Sequence, residues 1–264
     1  MSKSVAYLFL LVLFGCASVP VSHRKQLNFV SESQLISSSS LAYEEFLNEN
    51  HIVSPFNANS QMVNEVGNKL AVACKKFLEE HGDVNRLNGF QWEFTLVEGE
   101  EINAWCMPGG KVVVYEGILP MTQDEEGLAV VLSHEIAHAI ARHGNERVSQ
   151  QMMTQYGGAV LATIFENTSY QGIELNQIIS DTYGAGTQLG LLKFSRMHET
   201  EADKMGLVFM EYAGYDSKNA IDFWKRMANS SQGSPSDFLS THPSDGKRIS
   251  DIEEFIPVAK SYIH

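Results

Sequence analysis

The stretch VVLSHEIAHAIARHGNE (residues 130–146) sets two histidines four apart, with a glutamate between them, in an otherwise apolar run. A helix advances one turn in about 3.6 residues, so His134 and His138 project from one face, one turn apart. Two imidazoles so placed can grip a single divalent ion at roughly 2.0–2.1 Å. Glu135 lies one step round the helix, where its carboxylate reaches a water beside that ion without being a ligand, which is the position of a general base. The reading therefore predicts one long helix over residues 123–146 and a metal on its inner face.

Such a site needs a third protein ligand. A metzincin would place Gly at 141 and His at 144, where this chain has Ala141 and Gly144, so that class is excluded. His143 follows His134 by nine residues and, on a continuous helix, would lie about 180° round from it, in a supporting or solvent-facing role. The better source is FSRMHETEAD (residues 194–203). Glu199 and Asp203 share a helix face, so a crossing helix can offer Glu199 to the ion and Asp203 to the free N–H of a ligand histidine. Two histidines and one glutamate leave a position open for water, which is the catalytic pattern. Glu201 points elsewhere and reads as a solvated charge.

Composition bounds the rest. The chain has 264 residues, 44% of them hydrophobic, enough for a substantial core, and a formal net charge of −13 that disfavours nucleic acid as a partner. Residues 1–15 combine Lys3, an uncharged apolar run over residues 5–15 and then Cys16. The run is too short to span a bilayer permanently. It resembles a bacterial lipoprotein signal, with cleavage before Cys16 and acyl chains anchoring the new N-terminus. A signal cut elsewhere or a buried strand are the alternatives. Ala17, rather than Asp, after that cysteine agrees with sorting to the outer membrane. Cys74 and Cys106 are left either to pair or to stay as buried thiols.

Residues 16–30 carry Pro20 and no clear period, and read as a lipid-anchored tether to a single domain over 31–264. Helices are expected over 31–50, 61–81, 149–165, 187–212 and 217–229; strands over 90–97 and on either side of Pro108-Gly109-Gly110 within 102–115. The predicted class is α+β, dominated by helices, with one small antiparallel sheet.

Four ordered motifs, namely Asn103-Ala104 with Pro108-Gly109-Gly110, HEIAH, SRMHETEAD and Thr241-His242-Pro243, resemble peptidase family M forty-eight over about residues 60–255. These gluzincins include the CAAX prenyl proteases, the mitochondrial Oma-type protease and compact bacterial envelope proteases. The resemblance implies one zinc per chain, with ligands His134, His138 and Glu199, Glu135 as catalytic residue and Asp203 behind a ligand. It implies a zincin-like fold and polypeptide substrates that pair with the sheet edge formed by Asn103, Ala104, Pro108 and Gly109, with Pro108 lacking the N–H to continue the pairing. It also implies that His242 can reach the metal as a fourth ligand and latch the resting site. His198 and Arg248, by nearness to the motifs, are candidates to stabilise an oxyanion. The expected function is an endopeptidase of misfolded or unassembled envelope proteins, lipid-anchored and facing the periplasm. The rivals are a non-proteolytic assembly factor or chaperone with the same fold, and a purely structural zinc.

Overall fold

The computed structural model of the chain describes residues 16–156, 194–230, 236–243 and 246–263. The apolar run of residues 1–15, the end of the helix expected to 165 and the start of that expected from 187 lie outside them. Residues 16–30, read as a tether, fold into an antiparallel hairpin of β1 (Cys16–Ser18) and β2 (Lys25–Leu27). Helix α1 (Glu32–Glu49) starts where the Ser31 side chain accepts the Gln34 N–H, and α2 (Ala58–Glu80) starts at an Asn57 cap of the same kind.

A 3-10 turn (Val84–Leu87) leads to β3 (Glu93–Val97), β4 (Ala104–Met107) and β5 (Lys111–Tyr115). Pro108-Gly109-Gly110 joins the last two, with both glycines at positive φ (92° and 87°), a conformation that other residues adopt only with strain. The sheet order is β3-β5-β4. β4 and β5 pair antiparallel, but β3 and β5 pair parallel, so the sheet is mixed and not wholly antiparallel as expected. The intervening β4 crosses over to the far side of β5, which leaves β3 running alongside β5 in the same direction. As predicted, β4 is an edge strand.

The short α3 (Leu119–Thr122) precedes α4 (Glu125–Ile140), which Asp124 caps by accepting the Gly127 N–H at 2.9 Å. The long helix expected over 123–146 breaks here: Arg142 takes a left-handed conformation (φ 59°), and the chain restarts as α5 (His143–Tyr156). Then come α6 (Arg196–Ala213), α7 (Asn219–Ser230), α8 (Asp237–Thr241) and α9 (Arg248–Ser261). Among the described residues no helix is long and apolar enough to cross a membrane.

Helix α4 is the axis of the core. Its Leu128, Val131, Leu132 and Ile136 are wholly buried, and it packs against α2, α6, α7 and β4. Helix α6 crosses it closely at Gly206: a Cβ there would stand 3.2 Å from the His134 N and from Ser133. That close approach brings the polar residues of α6 to those of α4. Cys74 and Cys106 are free thiols.

Candidate metal centre

Burial makes the three polar residues of α4 expensive unless they find partners. His134, Glu135 and His138 are only 2–3% exposed. Ser195 caps α6, accepting the His198 N–H, and so starts that helix one turn before Glu199 faces the two histidines. From a short helix beyond α7, α8 presents His242, whose ring stacks on Phe238 at 4.5 Å and on Phe194 at 5.2 Å.

Four side chains converge. His134 Nε2 lies 3.0 Å from His138 Nε2, 3.2 Å from His242 Nδ1 and 3.4 Å from Glu199 Oε2. Glu199 Oε1 lies 3.4 Å from His138 Nε2 and 3.2 Å from His242 Nδ1. A tetrahedral ion with ligands at about 2.0–2.1 Å has ligand–ligand edges of about 3.3–3.4 Å, so the donor set has the span zinc requires.

The hydrogen bonds behind the rings fix where the lone pairs point. Asp203 Oδ1 accepts the Nδ1–H of His134 at 3.0 Å. His138 Nδ1 meets His143 Nδ1 at 2.9 Å, and His143 Nε2 meets Glu201 Oε2 at 3.1 Å. A neutral imidazole carries one donor and one acceptor, and an ionised carboxylate only accepts. His143 therefore donates from Nε2 to Glu201 and accepts at Nδ1, which puts the His138 proton on Nδ1. Once His134 is also neutral, as metal binding requires, both Nε2 lone pairs face one another across 3.0 Å, and the buried Glu199 Oε2 beside them makes no hydrogen bond, only an ion pair with Arg248 Nη1 at 3.2 Å. Such a constellation suits a cation at its centre.

Charge agrees with this. Burial opposes ionisation of Glu199, but His242, His134 and His138 outweigh it and hold its carboxyl well below the usual range. Burial lowers His138 strongly and His143 to about 4, so both are neutral at pH 7. Burial raises Glu135, whose Oε1 lies 3.4 Å from His242 Nε2 without a hydrogen bond, as suits a proton acceptor held apart from the ligands.

The other expected residues fall in distinct places. Asp203 also accepts from Arg248 Nη2 at 2.7 Å; Arg248 pairs with Glu199 at 3.2 Å and lies over the Trp224 ring at 3.3 Å. This holds its guanidinium behind the ligands. His198 is likewise turned away from the cleft, with Nε2 on Glu146 at 3.1 Å and its ring stacked on His143. Neither lines the cavity that Glu135 and His242 share with β4. Glu201, read as solvated, is 5% exposed and bonded to His143, Ser22 and Arg24. His143 is no surface residue: the break at Arg142 swings it behind His138. On the open side, Asn103, Ala104 and the rest of β4 line a cavity with Glu135 and His242, while Pro108 and Gly109 form the turn beyond.

A family model described as peptidase family M48 matches residues 60–256, most of the chain. The chain belongs to peptidase family M48. It is a zinc metalloendopeptidase, and the M48 match covers every residue of the four-donor centre. Among curated relatives, mitochondrial metalloendopeptidase OMA1 of Schizosaccharomyces pombe is 34% identical over 249 residues, 92% of this chain and 67% of the relative. Metalloendopeptidase OMA1 of Homo sapiens is 29% identical over 97% of this chain but 49% of its own length. The beta-barrel assembly-enhancing protease of Yersinia pestis is 29% identical over 73% of this chain and 38% of its own length.

Proposed function

We propose that the chain is an endopeptidase of the bacterial cell envelope, anchored by lipid on Cys16 and facing the periplasm from the outer membrane, where it degrades misfolded or unassembled envelope proteins. The observation that carries the proteolytic part is Glu135, buried beside the donor set yet apart from it. The Cys16 motif supports the location, and the printed name of the Yersinia relative, a beta-barrel assembly-enhancing protease, supports proteins under assembly as the substrate class. The OMA1 relatives are mitochondrial by name, so location rests on the Cys16 motif.

His134, His138 and Glu199 would hold the zinc, and zinc so bound lowers the pKa of water and polarises a peptide carbonyl. Glu135 accepts the proton of the attacking water and passes it to the leaving amine. The edge of β4 aligns an extended substrate by main-chain hydrogen bonds, and Pro108 ends that pairing. Asp203, fixed by Arg248, orients His134. His242 acts as a latch: with Nδ1 among the donors and Nε2 3.4 Å from Glu135, it covers both the open position and the base.

The test is cleavage of an unfolded polypeptide by the purified chain. Activity abolished by a chelator and restored by about one equivalent of zinc supports the reading. Client binding without cleavage at any zinc concentration sinks it in favour of an assembly factor. A Cys16→Ser variant that still fractionates with membranes sinks the lipid anchor.

A further inference from the structure

The N-terminal hairpin is fixed to the back of the metal centre through an arginine. Val19 is wholly buried, Gln26 donates to Glu146 at 3.1 Å, and the Phe29 N–H donates to Ser149 at 2.9 Å, so the hairpin is docked on α5. The turn between its strands holds Val21 and His23 at positive φ (66° and 56°), strained for both residues, and delivers Arg24 inward. Arg24 forks Glu146 with Nη1 and Nη2 at 2.8 and 2.7 Å, and forks Glu201 with Nε and Nη2, each at 2.9 Å. One guanidinium thus joins the hairpin to α5 and α6 at once, in the planar two-pronged geometry that Arg provides and Lys cannot.

From there a single file of hydrogen bonds leads to a zinc ligand. Glu201 Oε2, on the carboxylate that Arg24 holds, accepts from His143 Nε2 at 3.1 Å; His143 Nδ1 accepts from His138 Nδ1 at 2.9 Å. The break after α4 is what makes this possible, because on a continuous helix His143 would face away.

We propose that Arg24 is a positioning residue for the metal centre, fixing through Glu201 and His143 the tautomer and ring orientation of His138. The segment adjoining Cys16 is then part of the zinc site, which would lose affinity whenever the hairpin lifts from α5 and α6. This rests on the metal-centre reading above and goes beyond it in assigning the control to the N-terminal segment.

The experiment measures the zinc dissociation constant of the full chain by competition with a chromophoric chelator, and the visible spectrum of the cobalt(II)-loaded protein. The variants are Arg24→Ala, His143→Leu and the double variant. Loss of an outer partner of a ligand histidine weakens zinc about 10–100-fold. Arg24→Ala is expected to weaken it about tenfold and His143→Leu by more, with the cobalt bands shifted in both. In the double variant Arg24→Ala adds less than twofold, since its path to His138 is already cut. Arg24→Ala binding zinc within twofold of the wild type, however much its melting temperature falls, would overturn the proposal; so would two losses that multiply. If Arg24→Ala does not fold, Arg24→Lys keeps a cation between the carboxylates without the fork. It is expected to weaken zinc at least threefold, and an unchanged affinity overturns the proposal equally. A wild-type chain that binds no zinc would instead refute the metal centre itself.

Discussion

Replacing Asp203 by Asn tests the outer support of the metal centre. Asp203 is 9% exposed, and one of its oxygens accepts from both Arg248 at 2.7 Å and His134 at 3.0 Å. Asn keeps the size and one acceptor but removes the charge that binds the guanidinium and makes His134 a better donor to metal. Breaking a buried ion pair from one side costs about 3–5 kcal/mol. Here Glu199 still faces Arg248 at 3.2 Å, so the expected cost to folding is lower, about 2–3 kcal/mol. For a chain of this size that is a fall of about 4–12 °C in melting temperature. Zinc should bind about 10–100-fold more weakly, or about 1.4–2.7 kcal/mol. Differential scanning fluorimetry of the metal-free protein reads the first effect and chelator competition the second. An Asp203→Asn variant that binds zinc within threefold of the wild type would refute the assignment of Asp203 to His134, whatever its melting temperature.

Three further outcomes are expected. Burial opposes charge on His134, but Asp203 and Glu199 outweigh it and raise its pKa to about 9 in the metal-free protein. Zinc must displace that proton, so apparent affinity should rise about tenfold per pH unit from 7 towards 9 and level off above; a flat profile in chelator titrations at pH 7, 8 and 9 contradicts this. Gly206→Ala should force α4 and α6 apart by a few tenths of an ångström against the His134 backbone, cost about 1–3 kcal/mol in chemical denaturation and weaken zinc; an unchanged midpoint would show that the contact is slack. His242→Ala should raise cleavage of an unfolded polypeptide if the latch holds; unchanged proteolysis at every zinc concentration tested would rule the latch out.

The helix pattern of the site was legible because its determinants are local. The spacing of His134 with His138 and of Glu199 with Asp203 places each pair on one face whatever surrounds them. The Ser31 cap and the Pro108-Gly109-Gly110 turn are equally local. What escaped the pattern depends on distant partners. Nothing in Ala141-Arg142-His143 marks a helix break: Arg142 adopts a left-handed conformation without the usual glycine, and Arg142 then lies 3.4 Å from Glu32. Glu201 resembles any helix-surface carboxylate until Arg24 arrives from 177 residues away. The parallel pairing of β3 with β5 was hidden for the same reason, since alternation along a strand fixes its faces and not its neighbours.

Peptide hydrolysis by this chain depends above all on Glu135 moving a proton while His134, His138 and Glu199 hold zinc. The direct test is the peptide-cleavage rate of the zinc-loaded Glu135→Gln variant. That role for Glu135 predicts about one zinc per chain, as in the wild type, with cleavage reduced about 10²–10⁴-fold or more. Cleavage within tenfold of the wild type at full zinc occupancy would contradict it.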